Sequence, residues 1–196
     1  MRSELEKLKE EFEVKTRQIV GTLSVLTEKL EFPLDICVPH YGGICGVTRK
    51  CIIRERDSEG NVKEYKYDVY ERYSWRIKDG KLMVEIQSDY FHTTINDIIS
   101  FDEFINYLTK ERVFENVDPN YTGVVYEKLL PVSRATFYRI MERAGHELPI
   151  FLRKVIEKTK EKMVGVNETL ERLNVILSQL ESVSYTHLTL PTTERV

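Results

Sequence analysis

The chain has 196 residues, a formal net charge of −3, 41% hydrophobic residues and 31% charged residues. This length suits one ordinary domain, or a smaller domain with long helices, and the charge balance excludes a whole-protein attraction to nucleic acid or membrane. No apolar run is long enough to span a bilayer, the N-terminus lacks a signal-peptide core, and three cysteines are an odd count for a disulfide framework, so the chain reads as soluble and cytoplasmic.

Residues 1–32 read as one long helix. Ser3 followed by Glu6 is a capping-box pattern. Leu5, Leu8, Phe12, Thr16, Ile19, Leu23, Leu26 and Leu30 then recur at steps of three and four, with one extra four that makes a stutter at Thr16. Pro33 ends the helix. Residues 34–46 predict a strand leading into a Gly-rich loop that matches neither a phosphate-binding loop nor a dinucleotide fingerprint.

Residues 47–91 predict a three-stranded antiparallel meander. Its first turn is the run Asp57 to Asn61, and its second is Lys78-Asp79-Gly80-Lys81. In the second strand Tyr65, Tyr67, Val69, Tyr73, Trp75 and Ile77 share one face. Glu71 interrupts that face. It suits a sheet edge or a partner such as an inward Arg49, with a catalytic acid as the sharper alternative. The opposite face carries Lys50, Arg54, Arg56, Lys66, Arg72 and Arg76, diluted by Asp68 and Glu85, so it reads as a solvated face.

Ser100 with Glu103 marks the start of an amphipathic helix over 101–112. Residues 123–130 fit either a strand or a short helix. Ser133 caps a helix that Gly145 closes, and Pro149 opens the last long helix. In that helix Leu152, Ile156, Thr159, Met163, Val166, Leu170, Leu173, Leu177 and Leu180 keep an unbroken heptad.

Two clusters bear on chemistry. Cys37, His40, Cys45 and Cys51 are spaced like zinc ligands around a flexible loop, and the spacing resembles a zinc knuckle with its ligand order changed. The bland alternative is that Cys45 and Cys51 are small core residues. The run PVSRATFYRIMERAG, residues 131–145, resembles the recognition helix of helix-turn-helix proteins of the resolvase and tetracycline-repressor type. That resemblance implies that Ser133, Arg134, Thr136, Tyr138 and Arg139 face DNA. The ordinary alternative is a core stripe of Phe137, Ile140, Met141 and Ala144.

Residues 183–193, VSYTHLTLPTT, resemble the translated end of a sequencing-library adapter. Residues 183–196 are therefore set aside from the fold, and the natural chain is expected to continue beyond Ser182.

The expectation is an α+β fold in which a small three-stranded antiparallel sheet with helices, residues 33–146, lies between two long helices, 1–32 and 147–182. Those helices are expected to form an antiparallel coiled coil that pairs Leu30 with Leu152, Leu26 with Ile156, Phe12 with Leu170 and Leu5 with Leu177. The expected function is a non-catalytic interaction or scaffold protein. It would meet a protein partner, or itself, through that helical stalk and would use no cofactor. The alternatives are a DNA-binding regulator and a small zinc module.

Overall fold

The computed structural model describes residues 2–32, 35–36, 38, 42–57, 59–89, 94–115, 124–162 and 167–187, with side chains omitted at 2–3, 89, 94–95, 114–115, 124–126, 162, 167–169 and 182–187. In chain order these are α1 (Arg2–Lys29), β1 (Gly43–Arg56), β2 (Val62–Lys78), β3 (Lys81–Asp89), β4 (Thr94–Ile99), α2 (Phe101–Thr109), β5 (Arg112–Glu115), β6 (Val124–Leu129), α3 (Arg134–Lys162) and α4 (Asn167–His187).

The expected meander is present as β1, β2 and β3, and both turns have local causes. Asp57 Oδ1 accepts from the Glu59 and Asn61 amides at 3.0 and 2.8 Å. At the second turn Asp79 and Gly80 both take positive φ, 50° and 71°, as a tight hairpin of matching twist requires. A side chain at Gly80 would also strike the Phe32 carbonyl, because a Cβ there would lie 2.5 Å from that oxygen. The end of α1 is thereby held against the β2–β3 turn.

The sheet, however, has six strands rather than three. Its order is β4-β3-β2-β1-β6-β5, every pair is antiparallel, and it curls into a half-barrel. The extra strands are short: six residues in β4, four in β5 and six in β6. Segments of that length carry too few residues to show a period, and sheet pairing decides their state. The Gly-rich stretch from Gly43 to Gly46 belongs to β1, with a register irregularity between Gly43 and Cys45.

The expected coiled-coil stalk is also absent. The helix that begins after Ser133 does not stop at Gly145. It runs through Pro149 to Lys162. Proline cannot donate to the carbonyl four residues back, here that of Gly145, and its ring crowds that oxygen. Leu148, Phe151, Leu152 and Val155 are buried on the turns around it, and that burial offsets the lost hydrogen bond. The heptad is then divided between α3 and α4. Arg153 pairs with Glu181, so α4 folds back along α3. Leu152, Ile156 and Thr159 are buried on α3, as are Leu170, Leu173, Leu177 and Leu180 on α4. The unbroken pattern in sequence is two halves of one hairpin.

α1 meets this hairpin in a different register from the expected one. Phe12 lies against Tyr138, with ring centroids 4.4 Å apart, rather than against Leu170. Leu26 lines a groove with Leu180, not with Ile156. Helix α4 extends to His187, past the expected boundary at Ser182, and residues 188–196 lie outside the described residues.

The core fills the concave side of the sheet. Trp75 and Phe101 stack at 5.8 Å, and Tyr73 meets Phe104 edge-on at 5.0 Å. Trp75 Nε1 donates to the Ala144 carbonyl at 3.1 Å, which fixes α3 across the sheet. Helix α2 begins with the expected box: the Glu103 amide donates to Ser100 Oγ at 3.2 Å, and the Ser100 amide donates to Glu103 Oε2 at 2.8 Å.

Candidate functional site

Glu71 lies inside the sheet, and its partner is the inward Arg49, at 3.4 Å with both side chains fully buried. Two carboxylate oxygens and one guanidinium need more partners than each other at such a site. Tyr73 and Tyr107 supply them, each donating its hydroxyl to Glu71. Burial, and then the charge of Glu71, push the Tyr73 phenol above its ordinary range, so it stays a neutral donor. Arg49 reaches further. Its Nε and Nη2 donate to the Leu130 carbonyl at 3.1 and 2.6 Å, and its Nη1 donates to the Tyr107 carbonyl at 3.2 Å.

This knot has a positional consequence. Leu130 sits where β6 hands over to α3, and Tyr107 lies in the last turns of α2. Arg49 therefore ties the start of α3 and the end of α2 to the centre of the sheet. The Val132 amide adds a bond to the Leu108 carbonyl at 3.0 Å. These two fixed ends form walls of a groove of about 650 Å³ whose third wall is the outer half of α1.

Phe12, Thr16, Val132 and Phe137 give the groove an apolar floor, and Lys9, Arg17 and Arg134 stand at its rim with Glu13. Arg134 Nη1 bonds Glu13 Oε1 at 2.8 Å. Beyond Phe12, α1 leaves the body of the protein. Every residue from Glu4 to Glu11 is exposed. Leu5 and Leu8 remain 65% and 61% exposed, although they continue the stripe that buries Leu23 and Leu30.

The residues of the recognition-helix resemblance lie on the first turns of α3. Ser133 caps the helix, accepting from the Thr136 amide at 3.2 Å, and its hydroxyl lies 2.9 Å from that of Thr136. Arg134 is engaged by Glu13, Tyr138 by Phe12, and Arg139 is exposed. The segment that precedes them is the strand β6, where a helix-turn-helix requires a helix.

Of the four metal candidates, Cys37 and His40 lie outside the described residues. Cys45 and Cys51 stand on one strand, six positions apart, which is about 20 Å of extended chain. Burial pushes both thiols up to about 11. Cys51 donates its thiol to Glu127 Oε1 at 3.6 Å, Tyr67 donates to the same oxygen, and Glu127 Oε2 is buried with no partner among the described residues. On the outer sheet face Lys50 pairs with Asp68 at 2.5 Å and Arg54 with Glu64 at 3.1 Å, as a solvated face would.

The groove escaped the reading of the sequence because its walls come from three distant segments. The one available signal was on α1, where Lys9 and Arg17 flank the apolar stripe. Comparison with protein-family models, curated proteins and solved structures gave no match for this chain. Among the described residues, no helix is long and apolar enough to cross a membrane.

Proposed function

We propose that this chain is a protein-interaction module, without chemistry of its own, that takes a helical segment of a partner along the outer half of α1. The observation that carries this reading is the exposure of Leu5 and Leu8 in line with a buried stripe, at the mouth of an apolar groove. An amphipathic helix is the natural occupant of such a surface, with apolar anchors at helical spacing. Lys9, Arg17 and Arg134 outnumber Glu13 on the rim, so the partner helix carries acidic flanks. The site of action is the cytoplasm, where free thiols such as Cys45 and Cys51 persist.

A photo-crosslinking residue placed at Leu8 tests the reading in the cell of origin. The expected result is a discrete adduct that disappears when Lys9→Glu and Arg17→Glu are added, with the melting temperature unchanged. Absence of any adduct at Leu8 would overturn it.

A further inference from the structure

The ion pair between Arg134 and Glu13 crosses the groove and joins its α3 wall to its α1 wall, over 121 positions of sequence. The pair does little to hold those walls together. Both side chains are exposed, 79% for Arg134 and 41% for Glu13, and an ion pair in water contributes little to a fold. The same two helices already meet through Phe12 and Tyr138. Arginine is also a poor choice for the helix that carries it. Arg134 is the first residue of α3, the end where the helix dipole repels a cation, and no acidic residue in that turn offsets it.

Glu13, for its part, is easily displaced. It stands four residues from Lys9 and four from Arg17 on α1, the spacing at which side chains of one helix meet. Neither Lys9 nor Arg17 pairs with a carboxylate among the described residues. A Glu13 side chain that leaves Arg134 therefore has another cation within reach. It also fills its present place weakly. A guanidinium offers a planar fork that can take a carboxylate through two parallel bonds, and Glu13 meets it with one, from Nη1 to Oε1 at 2.8 Å.

We infer, on the reading that the groove takes a partner helix, that Arg134 is its specificity-determining residue: it receives a carboxylate of that helix, and Glu13 holds the seat until the partner arrives. The exchange swaps one ion pair for another, so the apolar floor supplies the affinity and the arginine selects the partner. The contact also fixes where the carboxylate stands. Glu13 lies five residues past Leu8, which is about 7.5 Å along the helix axis. A partner helix whose apolar anchor covers Leu8 thus carries its acidic residue about four or five positions from that anchor.

A displayed library of helix-forming peptides tests this, with leucine fixed at two anchors one turn apart and the other positions random. Selection on the wild-type protein should enrich Asp or Glu about four or five positions from an anchor. Selection on Arg134→Gln should lose that enrichment. For a selected peptide, Glu13→Gln should tighten binding about threefold, because the competing carboxylate is gone. Arg134→Lys should weaken it about threefold, because an ammonium keeps the charge and lacks the fork. Both variants should melt with the wild type. Peptides that bind with no acidic preference, or binding that Glu13→Gln leaves unchanged, would overturn the inference and leave the groove reading in place. If no peptide is selected the inference also falls, and the adduct at Leu8 decides separately whether the groove takes a partner.

Discussion

Along the inner half of α1, Leu23 and Leu30 are buried, and Ile19, Val20 and Leu26 pack against the core. Along the outer half, Leu5 and Leu8 occupy the same stripe and stand in solvent. The local sequence is equally periodic in both. What differs lies far away: the start of α3 and the end of α2 reach only as far as Phe12. Periodicity decides which side of a helix is apolar. Whether anything covers that side is decided by where other elements stop.

That contrast can be broken from the covering side. Glu71→Ala should have the largest effect, because it leaves Arg49 buried without its counter-charge; the expected loss is about 3–5 kcal/mol in chemical denaturation. The same variant loosens the ends of α2 and α3 that wall the groove. Truncation within the helix sharpens the comparison. Leu23→Ala and Leu30→Ala should each cost about 2–5 kcal/mol, while Leu5→Ala and Leu8→Ala should stay within about 0.5 kcal/mol. Equal costs at Leu8 and Leu30 would mean that the outer stripe is covered within the monomer.

A smaller effect is expected at the α2 N-terminus, which sits beside the inner half of α1 through the bond from Ser24 Oγ to Asp102 at 3.4 Å. Ser100→Ala removes both the cap and the anchor of its box, at a cost of about 1 kcal/mol. The smallest effect concerns pH. The Ser100 backbone amide, followed by its side chain, holds the Glu103 carboxyl below its ordinary value. A depressed folded value contributes stability that is present above the unfolded carboxylate range and is lost as pH falls through the folded value. Glu103→Gln should therefore flatten the acid limb of a stability-against-pH curve slightly, leaving neutral pH little changed.

Only the three long strands of the six-stranded sheet were legible in the sequence, and the reasons are local. The β1–β2–β3 meander followed from alternation over long strands with strong turn residues, and the α2 cap from Ser100 and Glu103. Parity put Glu71 on the inner face and offered an inward Arg49 as one of its alternatives, beside a sheet edge and a catalytic acid; the structure selects Arg49. The remainder was illegible because it is settled across the chain. β4, β5 and β6 are too short to carry a period. Pro149 reads as a helix start in any local window, and only burial of its neighbours carries the helix through it. The C-terminal heptad matches a straight helix and a folded hairpin equally well, because each half buries the same face. The groove needed Val132, Phe137 and Phe12 together, and no stretch of sequence holds all three.

The position of β1 between β2 and β6 also has a kinetic consequence. Its hairpin with β2 closes over short separations, such as the 10 residues between Arg54 and Glu64. Its junction with β6, sealed by Arg49 on the Leu130 carbonyl, spans 81 residues. The longer closure costs about 2 kcal/mol more chain entropy, and nothing rewards it until the knot around Glu71 assembles. The meander should thus form in the folding transition state, with β6 docking afterwards. Trimming Val84→Ala in the meander should slow refolding. Leu129→Ala in β6 should leave refolding almost untouched and speed unfolding instead, so the same buried seam that orders the native state sets how long it lasts.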